Sequence, residues 1–213
     1  MLLIIQPRPF FLPWPRGAPA VVHFRAYPAQ KLPKGLKVEL RLTPPRIIED
    51  LAPAAIHEAV WKTCTGKGWY YGNVSVSERP NVPFWKMDLD EDAATAALWG
   101  CAKQRCEALA GGPLRVVRQY ANGHTYGQGG SAHQDDGRPG TWTLLYYPMQ
   151  HWQPEWEGET VWVNRKGDLA SVVRPVPNRG VFFDSRIPHY GRAPSRICAA
   201  LRVTIAFKLE SAG

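Results

Sequence analysis

From Leu114 onward the chain is written in short segments rich in Val, Thr, Tyr, Phe and Trp, each closed by a cluster of Gly, Pro, Asn or Asp. Punctuation at that spacing leaves no room for long helices, and many short strands joined by tight turns fold into a sandwich or barrel. The expected strands are 115–120, 131–135, 142–147, 159–164, 171–175, 180–184 and 199–209. No internal repeat at a fixed period is visible.

Two helices precede this half. The first is expected over 50–62, where Leu51, Ala55, Ile56, Ala59 and Val60 recur at helical spacing. The second is expected over 90–109, opening in Asp90, Glu91 and Asp92, which suit a helix N-terminus, and stopping at Gly111-Gly112-Pro113. Its shared face would be Leu98, Cys101, Ala102, Arg105 and Leu109. Between them, 66–86 with Trp69, Tyr70, Tyr71 and Trp85 reads as loop and short strand. Residues 1–45 hold Pro7, Pro9, Pro13, Pro15, Pro19, Pro28 and Pro33, each of which fixes φ and removes a backbone donor, so no regular interior element is expected in this proline-rich N-terminal arm. An irregular arm packed on the domain, a flexible leader and a start codon called too early are the alternatives. The fold class is therefore mainly β with supporting α-helices. A single domain over 46–213 follows the arm, with helical support over 46–112 and the β core over 113–210.

Apolar residues at 45% and charged residues at 21% of the chain permit a packed core and exclude wholesale disorder. The formal charge of +8 favours anionic partners. Yet Lys and Arg are scattered, with no basic run or helical stripe, so nucleic acid is disfavoured. Cys64, Cys101, Cys106 and Cys198 form no Cys-x-x-Cys pair; reduced thiols and a cytoplasmic location are the expectation. No apolar stretch is long enough for a membrane span, and the oligomeric state is not readable.

The chemistry concentrates at His133-Gln134-Asp135. On a strand, residues two apart project from one face, so this imidazole and carboxylate can share one ion. His189 is the candidate third ligand; two histidines and one carboxylate on one face leave open positions on an octahedral Fe(II). The order along the chain gives this pair its context: a Gly-rich loop, His133-x-Asp135, Tyr146-Tyr147, Gly158-Glu159-Thr160, Gly180-Val181-Phe182-Phe183, Pro188-His189, then Leu201-Arg202-Val203-Thr204.

In that order, 114–209 resembles the catalytic double-stranded β-helix (a jelly-roll, cupin-like core) of the prolyl 4-hydroxylase-like Fe(II)- and 2-oxoglutarate-dependent dioxygenases. Tyr120 stands where that family carries a tyrosine on the strand before the metal loop, and Trp152-Gln153-Pro154 resembles its segment ahead of the Gly-x-Glu-Thr turn. The resemblance implies His133, Asp135 and His189 as iron ligands and catalytic centre. It implies Arg202 as the cation for the far carboxylate of 2-oxoglutarate, a task a guanidinium performs with two parallel charge-assisted bonds. Thr204 and Tyr147 would add hydroxyls, and Tyr120 belongs to the same co-substrate group. The cofactors implied are Fe(II), 2-oxoglutarate and O2, with ascorbate as an optional addition. Asp135 favours hydroxylation, since a chlorinating relative has Ala or Gly there. The spacing from His189 to Arg202 exceeds that of the best-known members, which leaves Arg196 and Lys208 as rival anchors; a cross-strand salt bridge is the plain structural alternative for Arg202.

The implied activity is hydroxylation of an unactivated C–H bond in an amino acid, a peptidyl proline or a small metabolite, with succinate and CO2 released. Small-molecule or peptide substrates are thus the expected partners. A nucleic-acid demethylase of the same chemistry and a non-catalytic β-sandwich binding module are the alternatives. His23, His57, His124 and His151 have no metal-spaced partner and read as surface or packing residues, and Trp142 and Tyr146 as core. Tyr126, Gln128, Asp136, Arg186 and Arg192 flank the ligands and are open candidates for substrate contact.

Overall fold

The computed structural model describes residues 43–76, 82–164 and 166–212; the proline-rich arm lies outside them but for its last three residues. The elements are β1 (Arg46–Ile48), α1 (Ala54–Cys64), β2 (Tyr70–Asn73), β3 (Phe84–Asp88), α2 (Ala93–Ala110), β4 (Leu114–His124), β5 (Thr141–Tyr146), β6 (Thr160–Val163), β7 (Leu169–Val173), β8 (Gly180–Asp184), β9 (His189–Gly191) and β10 (Arg202–Ser211).

Both helices form. α1 begins later than the periodicity suggests, because Pro53 stands at its N-cap and Asp50 takes a positive φ of 45°. In α2 the Asp92 carboxylate accepts from the Thr95 N–H at 2.7 Å, and Gly111 ends the helix in the left-handed conformation at φ 80°. Its buried face is Thr95, Leu98, Ala102 and Cys106. Leu109 stays 43% exposed, and Arg105 turns outward to the carbonyls of Glu49, Asp50 and Leu51.

A seven-stranded sheet runs β1-β8-β5-β10-β4-β3-β2, and a three-stranded sheet runs β7-β6-β9. All pairings are antiparallel. Strand β10 shows why the sequence there is almost continuously apolar: its first eight residues are buried, because both faces are covered. Val203, Ile205, Phe207 and Leu209 join the apolar core on the helix side, where Trp99 of α2 packs 6.0 Å from Phe207. Each such side chain contributes about 1.5–3 kcal/mol by leaving water. The alternate residues Arg202, Thr204 and Lys208 turn to the other face, where the two sheets enclose a cavity of about 280 Å³. This is the double-stranded β-helix arrangement of two facing antiparallel sheets.

Three expectations need correction. No strand forms over 131–135; His133 makes only an isolated bridge to His189, since the glycines before it let the segment cross between the sheets as irregular chain. β4 runs on to His124 instead of ending at Tyr120. Asn122-Gly123 reads as a turn signal, but Gly123 lies inside the strand because a Cβ there would meet Leu201 at 2.9 Å and Trp69 at 3.0 Å. The segment 66–86 contributes two short strands, β2 and β3, which pair antiparallel with a register shift between Tyr71 and Asn73 and extend the large sheet at its edge.

Candidate active site

His133, Asp135 and His189 converge: their ligand atoms all lie within 4.8 Å of one another. The His133 backbone N–H donates to the His189 carbonyl at 3.0 Å and the His189 N–H to the His133 carbonyl at 2.9 Å, while the Asp135 N–H donates to Ser185 at 3.0 Å. Backbone pairing thus delivers the three side chains that strand alternation was expected to deliver.

Each imidazole has its tautomer set by a carbonyl. Nδ1 of His133 faces the Ser131 oxygen at 2.8 Å and Nδ1 of His189 faces the Ile187 oxygen at 2.9 Å. Because a carbonyl only accepts, both Nδ1 atoms carry the proton and both Nε2 atoms keep a free lone pair. Those Nε2 atoms stand 3.4 and 3.5 Å from Asp135 oxygens. Burial lowers the His189 pKa to about 4, so it is neutral near pH 7. For Asp135 burial pushes the carboxyl up, but the Lys208 charge, with smaller contributions from the His189 and His133 contacts, outweighs it and holds it well below the usual range. One carboxylate and two neutral nitrogens on one face fit a divalent iron.

Lys208 completes this end. Its ammonium pairs with Asp135 Oδ2, to which Thr143 also donates at 2.6 Å. The site is therefore electrostatically closed before any metal arrives.

The other end of the cavity is built on Arg202, almost wholly buried at 1% exposure. Nε donates to the Gly158 carbonyl, Nη1 to His124 Nδ1 at 3.1 Å and Nη2 to Thr160 Oγ1 at 2.9 Å. No carboxylate pairs with it among the described residues, which removes the salt-bridge alternative, and two of its five N–H groups remain for a ligand. Gly158, at φ 77°, makes room for this side chain, since a Cβ there would lie 2.9 Å from Arg202 Cδ. Thr204 lines the same cavity. Tyr147 lies behind, its hydroxyl 2.8 Å from Thr160 Oγ1 and its ring 6.0 Å from the guanidinium. Arg196 is exposed and away from the cavity, and Lys208 serves Asp135.

His124 is the residue that sequence reasoning missed. Arg202 can only donate, so His124 Nδ1 accepts and the proton sits on Nε2. That N–H is buried, has no partner among the described residues, and belongs to a side chain lining the cavity; Asn122 Oδ1 is likewise unpartnered among them. Burial, with the Arg202 charge, lowers the His124 pKa to about 3, so the ring is a fixed neutral donor. The available signal was the alternation Arg118, Tyr120, Asn122, His124, masked by the glycine.

Of the other candidates, Tyr120 lines the cavity. Asp136 pairs with Arg138, Arg186 with Asp184, and Arg192 with Glu157 and Glu159; Gln128 accepts from the Thr125 N–H and Tyr126 is 62% exposed. None of these five lines the cavity. His57 bonds Tyr146 at 2.5 Å and His151 packs edge-on to Trp156, as packing residues do; Tyr146 is core, whereas Trp142 is only partly buried. His23 lies outside the described residues.

Comparison with known proteins follows the same lines. Residues 117–207 match the model of the 2OG-Fe(II) oxygenase superfamily. A prolyl hydroxylase from Trichoplax adhaerens, solved in complex with a hypoxia inducible factor oxygen degradation domain peptide fragment, superposes with a TM-score of 0.61 at 17% identity, covering 78% of this chain and 83% of that one. A Pseudomonas putida prolyl-4-hydroxylase gives 0.55 at 17%, covering 78% and 92%. HygX from Streptomyces hygroscopicus, solved with nickel, 2-oxoglutarate and hygromycin B bound, gives 0.59 at 14%, covering 79% and 83%. These likenesses establish the fold. No curated protein sequence matches the chain.

Proposed function

We propose that the chain is an oxidoreductase of the 2OG-Fe(II) oxygenase kind, using Fe(II), 2-oxoglutarate and O2 to hydroxylate an unactivated C–H bond, a reading supported by the family match over residues 117–207 and by the His133, Asp135 and His189 cluster. The substrate R–H, 2-oxoglutarate and O2 become R–OH, succinate and CO2, one oxygen atom entering the alcohol and the other the succinate carboxylate. The observation that carries this reading is one cavity with the three ligand side chains at one end and, at the other, an arginine without a carboxylate partner among the described residues.

His133 and His189 would hold the iron through Nε2, with Asp135 as the third ligand. Iron supplies the oxygen activation; the protein supplies position and a water-poor site. Lys208 and Thr143 hold Asp135 Oδ2, which would leave Oδ1 as the oxygen available to the metal. Arg202 would clamp the far carboxylate of 2-oxoglutarate, with Thr204 and the His124 Nε2–H as neutral donors and Tyr147 bracing the guanidinium. A cation clamped between neutral groups needs an anion, and a dicarboxylate supplies it.

The substrate class is an amino acid, a peptidyl proline or a small metabolite, which accords with the peptide and small-molecule complexes among the neighbours. The free thiols of all four cysteines accord with a cytoplasmic setting, and no helix among the described residues is long and apolar enough to cross a membrane. The test is anaerobic addition of Fe(II) and 2-oxoglutarate. A weak visible charge-transfer band followed by succinate formation on admitting O2 is expected; neither would appear if the chain were a binding module.

A further inference from the structure

Three cations surround one aromatic ring in the cavity. Lys86 Nζ and Arg118 Cζ each lie 5.2 Å from the Tyr120 ring centre, and Lys208 Nζ lies 5.8 Å away. The sheet register explains the crowding: Arg118 on β4 stands directly opposite Lys208 on β10, and Lys86 on β3 opposite Asn122. Like charges placed opposite each other on neighbouring strands destabilise a sheet, and a neutral residue at 118 would relieve this.

Only Lys208 has a buried partner, Asp135. Lys86 bonds Asp88, whose side chain is 59% exposed, so that pair is screened by solvent. Arg118 has no carboxylate partner among the described residues. Among the described residues that line the cavity Asp135 is the sole carboxylate, against Lys86, Arg118 and Arg202. Loading iron and 2-oxoglutarate does not correct the imbalance, because their double charges are opposite and Arg202 is consumed by the co-substrate. Lys86 and Arg118 are left on the rim, one ring away from the lysine that holds the metal-binding carboxylate.

We propose that Lys86 and Arg118, set around Tyr120, form a subsite for an oxyanion of the substrate, so that the substrate is a small acid, a carboxylate or a phosphate ester. This rests on the oxygenase reading for the word substrate, and not for the anion preference. A guanidinium and an ammonium flanking an aromatic face bind an oxyanion by charge-assisted bonds while the ring carries the apolar part.

The test is isothermal titration of the anaerobic protein loaded with Fe(II) and 2-oxoglutarate, using benzoate and phenyl phosphate against the neutral probes benzamide and benzyl alcohol. The anions should bind about tenfold or more tightly than the neutral probes, and the advantage should shrink with salt. Arg118→Gln and Lys86→Gln should each weaken the anions toward the neutral level, while Arg118→Lys, which keeps the charge, should retain most of the binding. A benzoate preference assigns a carboxylate, and a phenyl phosphate preference a phosphoryl group; either supports the subsite. Equal binding of charged and neutral probes would overturn it. So would anion binding that abolishes the 2-oxoglutarate charge-transfer band, which would give these cations to the co-substrate, or an oligonucleotide displacing both probes far more tightly, which would give them to a nucleic-acid backbone. Absence of the band in the unaltered protein instead sinks the oxygenase reading and leaves the anion measurement standing.

Discussion

The two ends of the cavity solve opposite electrostatic problems. At the metal end the anion Asp135 already has its countercharge in Lys208, and hydroxyl and imidazole groups fill the remaining contacts. At the far end, among the described residues, the cation Arg202 has only neutral acceptors, and His124 and Asn122 keep unpartnered buried atoms. One end is complete without a ligand and the other is not. A buried charge without an opposite partner is costly, so the incomplete end is where a ligand contributes most to stability as well as to function.

The comparison breaks first at the ligands. His133→Ala and His189→Ala should abolish succinate formation; turnover retained in either would dissolve the assigned metal end. Asp135→Ala should abolish turnover too, but it differs in melting, because it strands the Lys208 ammonium. A loss of about 3–5 kcal/mol is expected from breaking a buried pair on one side, and Asp135→Ala combined with Lys208→Met should recover most of that stability with no turnover. Equal melting of Asp135→Ala and the unaltered protein would mean that the lysine simply swings to solvent.

At the far end, Arg202→Ala should weaken 2-oxoglutarate binding by about 2–5 kcal/mol, read from the charge-transfer titration. An effect confined to Arg196→Ala would move the anchor to the loop. His124→Phe should weaken 2-oxoglutarate by about 1 kcal/mol, the worth of one hydrogen bond, yet leave pyruvate, which lacks the distal carboxylate, unchanged. Equal weakening of both would reduce His124 to a general packing role.

The far end also sets a pH dependence. His124 titrates near 6.5 when unfolded and at about 3 when folded, so below pH 6.5 the unfolded chain takes up the proton first. Its contribution to stability is full above that value and declines as pH falls toward 3. The melting temperature of the protein without metal should drop across this window, and less steeply in His124→Gln.

Much of this plan was legible. Alternation in Leu201–Phe207 placed Arg202 and Thr204 on one face, and short punctuated segments fixed a β core, because period and turn chemistry are local signals. What escaped was non-local. Gly123 reads as a turn until Leu201 and Trp69 are seen packed against it, and with the turn went His124. Residues 131–135 carry a strand's spacing, but His189 and Ser185 position them from the opposite side of the cavity. Lys208 was visible as a cation in an apolar strand; only the folded chain, which carries Asp135 across to its ammonium, reveals the partner.

The paired amides and carbonyls of His133 and His189 make the metal end behave like a stapled socket. Iron has no chain to draw together there, so little of its binding free energy is diverted into ordering, and withdrawing it should leave the socket's shape intact. Both amide protons should then exchange slowly with solvent deuterium whether or not iron is present.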